Sequence, residues 1–173
     1  MSIQNLAPLL VVGESTGTIL LESADDFRCA INRMAQQAVR SIRIFTQDLD
    51  HELYDHTEFL KVASAVCRQR RNCTIQVLLK NADKAARFGH RLVELQKRLP
   101  SSIEIRSVPA EYEEANDEFF LVDDIGLVKR FALGYMRGHC EFRSVPDAVK
   151  KARWFSEIWE RSEPCQDLRR LSL

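Results

Sequence analysis

The sequence predicts a single α/β domain with a mixed, mainly parallel central sheet and helices on both faces. Three observations carry this. First, the β-rich runs Ser41–Thr46 (SIRIFT), Thr74–Leu79 (TIQVLL) and Ile103–Val108 (IEIRSV) alternate with stretches whose apolar residues recur at helical spacing. Parallel neighbours need a helical crossover, so strand, helix, strand at short spacing is how a parallel sheet is built. Second, the pattern changes after residue 109. An acidic loop (PAEYEEAND) leads to two apolar runs, Glu118–Val122 and Leu127–Phe131, around Asp123-Asp124-Ile125-Gly126. That is a hairpin pattern and makes the sheet mixed. Third, 173 residues of which 45% are hydrophobic suffice for a core without metals or disulfides.

The elements follow in order. Residues 1–17 lack periodicity and are expected to form an N-terminal arm, residues 18–163 the domain, and residues 164–173 a polar tail. Thr18–Glu22 reads as a short strand. Ser23-x-x-Asp26 has the form of a helix start, followed by the stripe Phe27, Ala30, Ile31, Met34 and Ala38, with Arg28, Arg33 and Gln37 turned to solvent. Residues 47–56 are polar and acidic, hence a loop. Asp55 and Glu58 then start a second helix with Phe59, Ala63, Val66 and Cys67 inward and arginines 68, 70 and 71 at its carboxyl end. A third helix begins at Asn81 or Asp83 and carries Phe88, Leu92, Leu95 and Leu99 to Pro100. A strand near Cys140–Arg143 precedes a helix from Ser144-x-x-Asp147, with Ala148, Ala152, Phe155 and Trp159 on one face. There is no internal repeat.

Composition excludes some functions. Lys plus Arg total 25 and Asp plus Glu total 25, so the formal charge is zero. A protein that coats nucleic acid usually carries a basic excess, so nucleic acid is not expected as a partner. No run is long enough to cross a bilayer and no leader is evident, so the expectation is a cytoplasmic chain with no membrane partner. The five cysteines include no Cys-x-x-Cys, so neither a disulfide framework nor a metal set is expected. Cys67 and Cys73 read as buried thiols rather than a redox pair. No cofactor is expected.

The order of strands and helices, the run FFLVDD (Phe119–Asp124) and the closing Phe155-x-x-x-Trp159 resemble one half of a phospholipase D-like domain, over about Ser23–Ser162. Active members of that superfamily carry His-x-Lys-x-x-x-x-Asp, with His as nucleophile and Lys holding phosphate oxygens. Laid on Asp123, this motif puts Asn116 at the His position and Glu118 at the Lys position. An amide is no nucleophile, and a carboxylate repels phosphate. His139-x-Glu141 stands where a downstream Asn-x-Glu often lies. The resemblance therefore implies the fold and denies the usual chemistry. It also implies a homodimer, because active relatives pair two halves. The segments IFTQDLDHELYD, GHRLVEL and WERSEP resemble an uncharacterised bacterial family of non-catalytic relatives, some joined to GNAT-type acetyltransferases, which makes an acetyltransferase a candidate partner.

Candidate ligand-binding residues group around the first core strand and the third helix. Thr46 ends that strand, and Asp48, Asp50, His51, Glu52 and Asp55 crowd the loop after it. Ligands of open α/β sheets favour the carboxyl ends of strands. Asp48 and His51 are ligand or metal contacts on one reading, with Asp48-x-Asp50-His51 a candidate hard-cation cluster, and members of a solvated loop with helix caps on the other. His90 and Arg91 either hold an anion or serve as a satisfied core histidine and an ion-paired arginine. The functional expectation is a non-catalytic binding or interaction module. Its alternatives are a metal-assisted phosphoesterase using Asp48, His51 and Asp123, or a nucleic-acid-binding domain.

Overall fold

The computed structural model describes residues 2–131 and 134–169; residues 1 and 170–173, ends of the expected arm and tail, and residues 132–133 lie outside the described residues. An eight-stranded sheet organises the chain. Its strands are β1 (Ile19–Leu21), β2 (Ser41–Thr46), β3 (Thr74–Leu79), β4 (Ile103–Ser107), β5 (Glu118–Val122), β6 (Gly126–Arg130), β7 (Gly138–Glu141) and β8 (Glu163–Pro164). Their spatial order is β1-β7-β6-β5-β2-β3-β4-β8. The helices are α1 (Ile3–Leu6), α2 (Ala24–Gln36), α3 (His51–Tyr54), α4 (Thr57–Gln69), α5 (Asp83–Phe88), α6 (Arg91–Arg98), α7 (Val145–Arg161) and α8 (Gln166–Arg169).

The expectation of a mainly parallel sheet is corrected. Only β2–β3 and β3–β4 are parallel. The remaining pairings, β1–β7, β7–β6, β6–β5, β5–β2 and β4–β8, are antiparallel. The crossovers do build a parallel trio. The hairpin strand β5 then docks on the free edge of β2, and three more antiparallel strands extend from it. Spacing along the chain reveals connectivity, but not which edge a later strand joins.

Alternation along the strands supplies two apolar faces. Ile42, Ile44, Val77, Phe120 and Val122 pack with Phe27, Ile31 and Met34 of α2, Phe59 of α4 and Leu92 of α6. Phe45, Leu78, Phe119, Leu121 and Leu127 pack with Ala148, Ala152, Phe155 and Trp159 of α7. Helices thus cover both faces, as the sequence predicts.

Local departures have local causes. Ser23 caps α2 by accepting from the Asp26 amide. Arg33 and Gln37, expected at solvent, instead hold the first residues of the chain. Arg33 Nε and Gln37 Nε2 donate to the Leu10 carbonyl, and Gln37 Oε1 accepts from the Val12 amide. Ile3 is buried in the core. The segment read as an arm is therefore packed on the domain, and in the expected tail Leu168 is buried too. The long third helix is broken in two. Gly89 takes φ +73°, and His90 restarts the chain as the cap of α6. Phe88 consequently leaves the apolar stripe and is exposed. His56, not Asp55, caps α4, through Nδ1 accepting from the Phe59 amide.

The hairpin turn fixes the other end of the sheet. Asp123 and Asp124 both have positive φ, at 53° and 57°, and the Ile125 amide donates to the Val122 carbonyl. This is the turn geometry that suits antiparallel strand twist. The Asp123 carboxylate accepts from the amides of Val39, Arg40 and Ser41, tying the turn to the start of β2. Replacing Asp123 by Ala should lower unfolding stability by about 2–4 kcal/mol, since it strands several amides and removes a residue that tolerates the left-handed region. Asp123→Asn should recover more than half of that loss. Urea denaturation of the two variants checks both values.

Candidate functional site

Strand β5 runs against β2, so its first residue, Glu118, arrives beside the last residue of β2, Thr46. The carboxylate is 8% exposed and fully engaged. Oε1 accepts from Thr46 Oγ1 and the Gln47 amide, both at 3.0 Å. Oε2 accepts from Arg130 Nη1 at 3.2 Å. Arg130 is the residue directly opposite in β6. Its Nη1 also donates to Asp50 Oδ2 at 2.9 Å, and its Nε donates to the Tyr135 carbonyl at 2.7 Å. Asp50 in turn caps α3 by accepting from the Glu52 amide. Thr46 Oγ1 accepts from the amide of Leu49, a residue held at φ 55°. Burial pushes the Glu118 carboxyl above its usual range, and the Gln47 amide, Arg130 and Thr46 oppose that rise. Burial and the neighbouring Glu118 also push the Tyr54 phenol up.

Beside this network a cleft of about 700 Å³ opens where β2, β3 and β4 end at their carboxyl termini. Gln47, Asp48, Lys80, Lys84, Pro109 and Glu113 are among its lining residues. Four acids, Asp48, Asp83, Glu113 and Asp167, stand in the lining against these two lysines, and both lysines are engaged within the chain. Lys84 Nζ meets Asp48 Oδ2 at 3.0 Å, and Lys80 Nζ donates to the Ala115 carbonyl. Gln47 Nε2 holds the carbonyls of Ala115 and Asp117, shaping the loop that carries the exposed Asn116.

A third cluster joins α3 to α6. His51 and His90 rings lie 4.7 Å apart. His51 Nε2 is 2.8 Å from the Gly89 carbonyl and 3.9 Å from Asp55 Oδ2. Arg91 Nε donates to Asp55 Oδ1 at 2.6 Å, and Arg91 also reaches the Asp55 carbonyl and Thr57 Oγ1. His90 Nδ1 accepts from the Leu92 amide. Burial lowers the His90 pKa to about 4, reinforced by His51 and Arg91; Asp55 and the nearby Leu49 carbonyl oppose it. Asp55 is held below the usual carboxylate range: burial raises it, but the Arg91 hydrogen bond and the charges of His90 and Arg91 outweigh that.

The residues singled out from sequence therefore divide. Thr46 and Glu118 share one network. Asp48 lines the cleft. His51, His90 and Arg91 form the third cluster. Asp123 joins none of them: it lies beyond the opposite end of β5, roughly 16 Å from Glu118 at strand rise. A cluster of Asp48, His51 and Asp123 is thus not assembled. His139 and Glu141 are also apart. Arg130 pairs with Gly138, so the next residue, His139, points to the α7 face while Glu118 and Arg130 share the α2 face. There Glu141 accepts from Thr18 Oγ1 and His139 stacks near Phe131. The sequence placed Asp50 and Asp55 in the acidic loop but missed Arg130 as a site residue. The signal for Arg130 was present, because counting outward from the Asp123–Ile125 turn sets Glu118 opposite Arg130. Cys67 and Cys73 are free, and burial pushes both thiols up to about 11, which keeps them protonated and unreactive.

A family model described as a domain of unknown function, DUF7931, matches residues 23–171. The chain belongs to that family. No curated protein matches the sequence. Among solved structures, NucT from Helicobacter pylori superposes with a TM-score of 0.66 at 11% identity, covering 87% of this chain and 100% of that one. The phospholipase D family member Nuc from Salmonella typhimurium gives 0.64 at 11% identity, over 87% and 99%. TrmBL2, an archaeal chromatin protein with a novel mode of DNA binding, gives 0.64 at 11% identity over 94% of this chain; the chain spans 60% of that protein. These likenesses show a phospholipase D-like fold. A DNA-binding protein among them leaves the expectation of no nucleic-acid partner without support. No helix among the described residues is long and apolar enough to cross a membrane.

Two predictions follow from the geometry. Glu118→Ala should cost about 3–5 kcal/mol in chemical denaturation by leaving Arg130 buried with Asp50 as its one acidic partner. Glu118→Lys, which places a cation against Arg130, should be worse still. The depressed His90 pKa means the unfolded chain takes up a proton below about 6.5 that the folded chain resists. Stability should thus be full above pH 6.5 and fall toward pH 4, by at most on the order of 3 kcal/mol. His90→Asn, which keeps a capping side chain, should flatten that slope in urea titrations at pH 7.5 and 5.

Proposed function

We propose that this chain is a non-catalytic phospholipase D-like binding module whose ligand surface is the cleft at the carboxyl ends of β2, β3 and β4. One observation carries the reading: Glu118, where the resemblance places a phosphate-holding lysine, is a buried carboxylate bound by Arg130, Thr46 and the Gln47 amide. These groups bind anions, and here they hold one that belongs to the chain. A phosphate brought to the same place meets a carboxylate, and Asn116 offers no nucleophile to attack it.

The cleft supports binding of a small polar ligand. Four acids stand against two lysines in its lining, so a ligand rich in hydrogen-bond donors suits it better than a polyanion. The resemblance to half of a two-lobed fold supports a homodimer, which light scattering at high concentration tests.

Incubation with bis(p-nitrophenyl) phosphate and with plasmid DNA, in Mg²⁺, Mn²⁺, Zn²⁺ or chelator, should give no turnover above buffer. Cation-dependent cleavage lost in Asp48→Asn would establish the phosphoesterase reading instead. Titration of a labelled oligonucleotide at low salt should be flat. Saturable binding that weakens with salt would move the function to nucleic-acid recognition, the reading favoured by the likeness to TrmBL2.

A further inference from the structure

Two of the four histidines of the chain meet with an aspartate at a point the cleft does not use. One donor atom from each of His51, Asp55 and His90 lies within 4.8 Å of the other two, and among the described residues no other three His, Cys, Asp or Glu side chains do this. Around a tetrahedral zinc ion, ligand atoms stand roughly 3.3 Å apart, so small side-chain rotations close the gap.

Proximity is not the whole case. His90 is 3% exposed, and its Nε2 has no hydrogen-bond partner. A buried polar atom without a partner is uncommon and costs about 1–3 kcal/mol. The Leu49 carbonyl lies on that side of the ring but makes no hydrogen bond of ordinary geometry with it. The neighbouring groups are also arranged as outer partners of a metal site. His51 Nε2, the ring nitrogen that faces Asp55 Oδ2, donates to the Gly89 carbonyl in the metal-free chain, and an ion held at that nitrogen would take the place of this hydrogen bond. Arg91 fixes Asp55 through Oδ1 and leaves Oδ2 toward His51. Ligating imidazoles and carboxylates are oriented by this kind of contact.

We propose that His51, Asp55 and His90 bind a divalent transition ion of the zinc class, joining α3 to the start of α6. Two imidazole nitrogens and one carboxylate oxygen suit zinc, and its neighbours nickel and copper, better than magnesium or calcium, which take oxygen ligands. Three protein ligands leave a fourth position to water. The Arg91 cation beside Asp55 opposes the ion and weakens its binding. Binding also has a structural consequence. In the metal-free chain His90 Nδ1 accepts from the Leu92 amide, so Nε2 carries the ring proton. Ligation through Nε2 moves that proton to Nδ1, and the Leu92 amide loses its acceptor.

Calorimetric titration of chelator-treated full-length chain with ZnCl₂ should give one ion per chain, with no heat from MgCl₂. His51→Ala, at a half-buried position, and Asp55→Asn should each weaken binding about tenfold or more while circular dichroism stays unchanged. The Leu92 amide resonance should shift on zinc addition. Cobalt(II) should give visible bands without thiolate charge transfer. Undetectable zinc binding, zinc binding unchanged in His51→Ala, or thiolate bands with cobalt would each overturn the assignment; the last two would place the ion on a cysteine or another histidine.

Discussion

A carboxylate inside a sheet must be neutralised where it stands, and in this protein that requirement organises the functional end of the molecule. Glu118 sits at the first position of β5 and Arg130 at the paired position of β6. Their contact draws in Thr46 and Gln47 at the end of β2 and Asp50 at the start of α3. The β5–β6 hairpin is thereby locked to the stretch from the end of β2 to the start of α3, 72 residues earlier at the Thr46–Glu118 bond. Removing either charge leaves the other buried, which is a far larger penalty than losing a surface pair. The network is consequently a structural unit of the sheet.

The cleft beside it inherits its character from this arrangement. Gln47 turns its backbone to Glu118 and its side chain to the loop before β5, so the cleft wall and the buried pair share one residue. Lys80 and Lys84 are spent on a carbonyl and on Asp48. What remains is a polar concavity with an acidic excess from Asp83, Glu113 and Asp167. The cluster of His51, Asp55 and His90 is separate in function but not in position, since α3 links it to Asp50 and so to the buried pair.

Legibility in the sequence followed the range of the interactions. Capping by Ser23, the stripe of α2 and the turn at Asp123 depend on residues a few positions apart, and their patterns are visible in the chain. The break at Gly89 was harder, because Phe88, Leu92, Leu95 and Leu99 keep helical spacing across it. A glycine at φ +73° followed by a capping histidine overrides that spacing. The amide at Asn116 and the carboxylate at Glu118 were also readable. The pairing of Glu118 with Arg130 was not read, since it needs strand register as well as residue type.

The amino-acid sequence alone determined that the chain is an α/β domain, that its first three core strands are joined by helical crossovers, and that an amide and a carboxylate stand at Asn116 and Glu118. Those are statements about local spacing and residue chemistry. Tertiary structure decided that the sheet is mostly antiparallel, that His139 faces away, and that His51 meets His90. Each of these depends on which strand edges pair and which helix ends abut. Such choices are set by contacts between segments tens of residues apart, which no local pattern encodes.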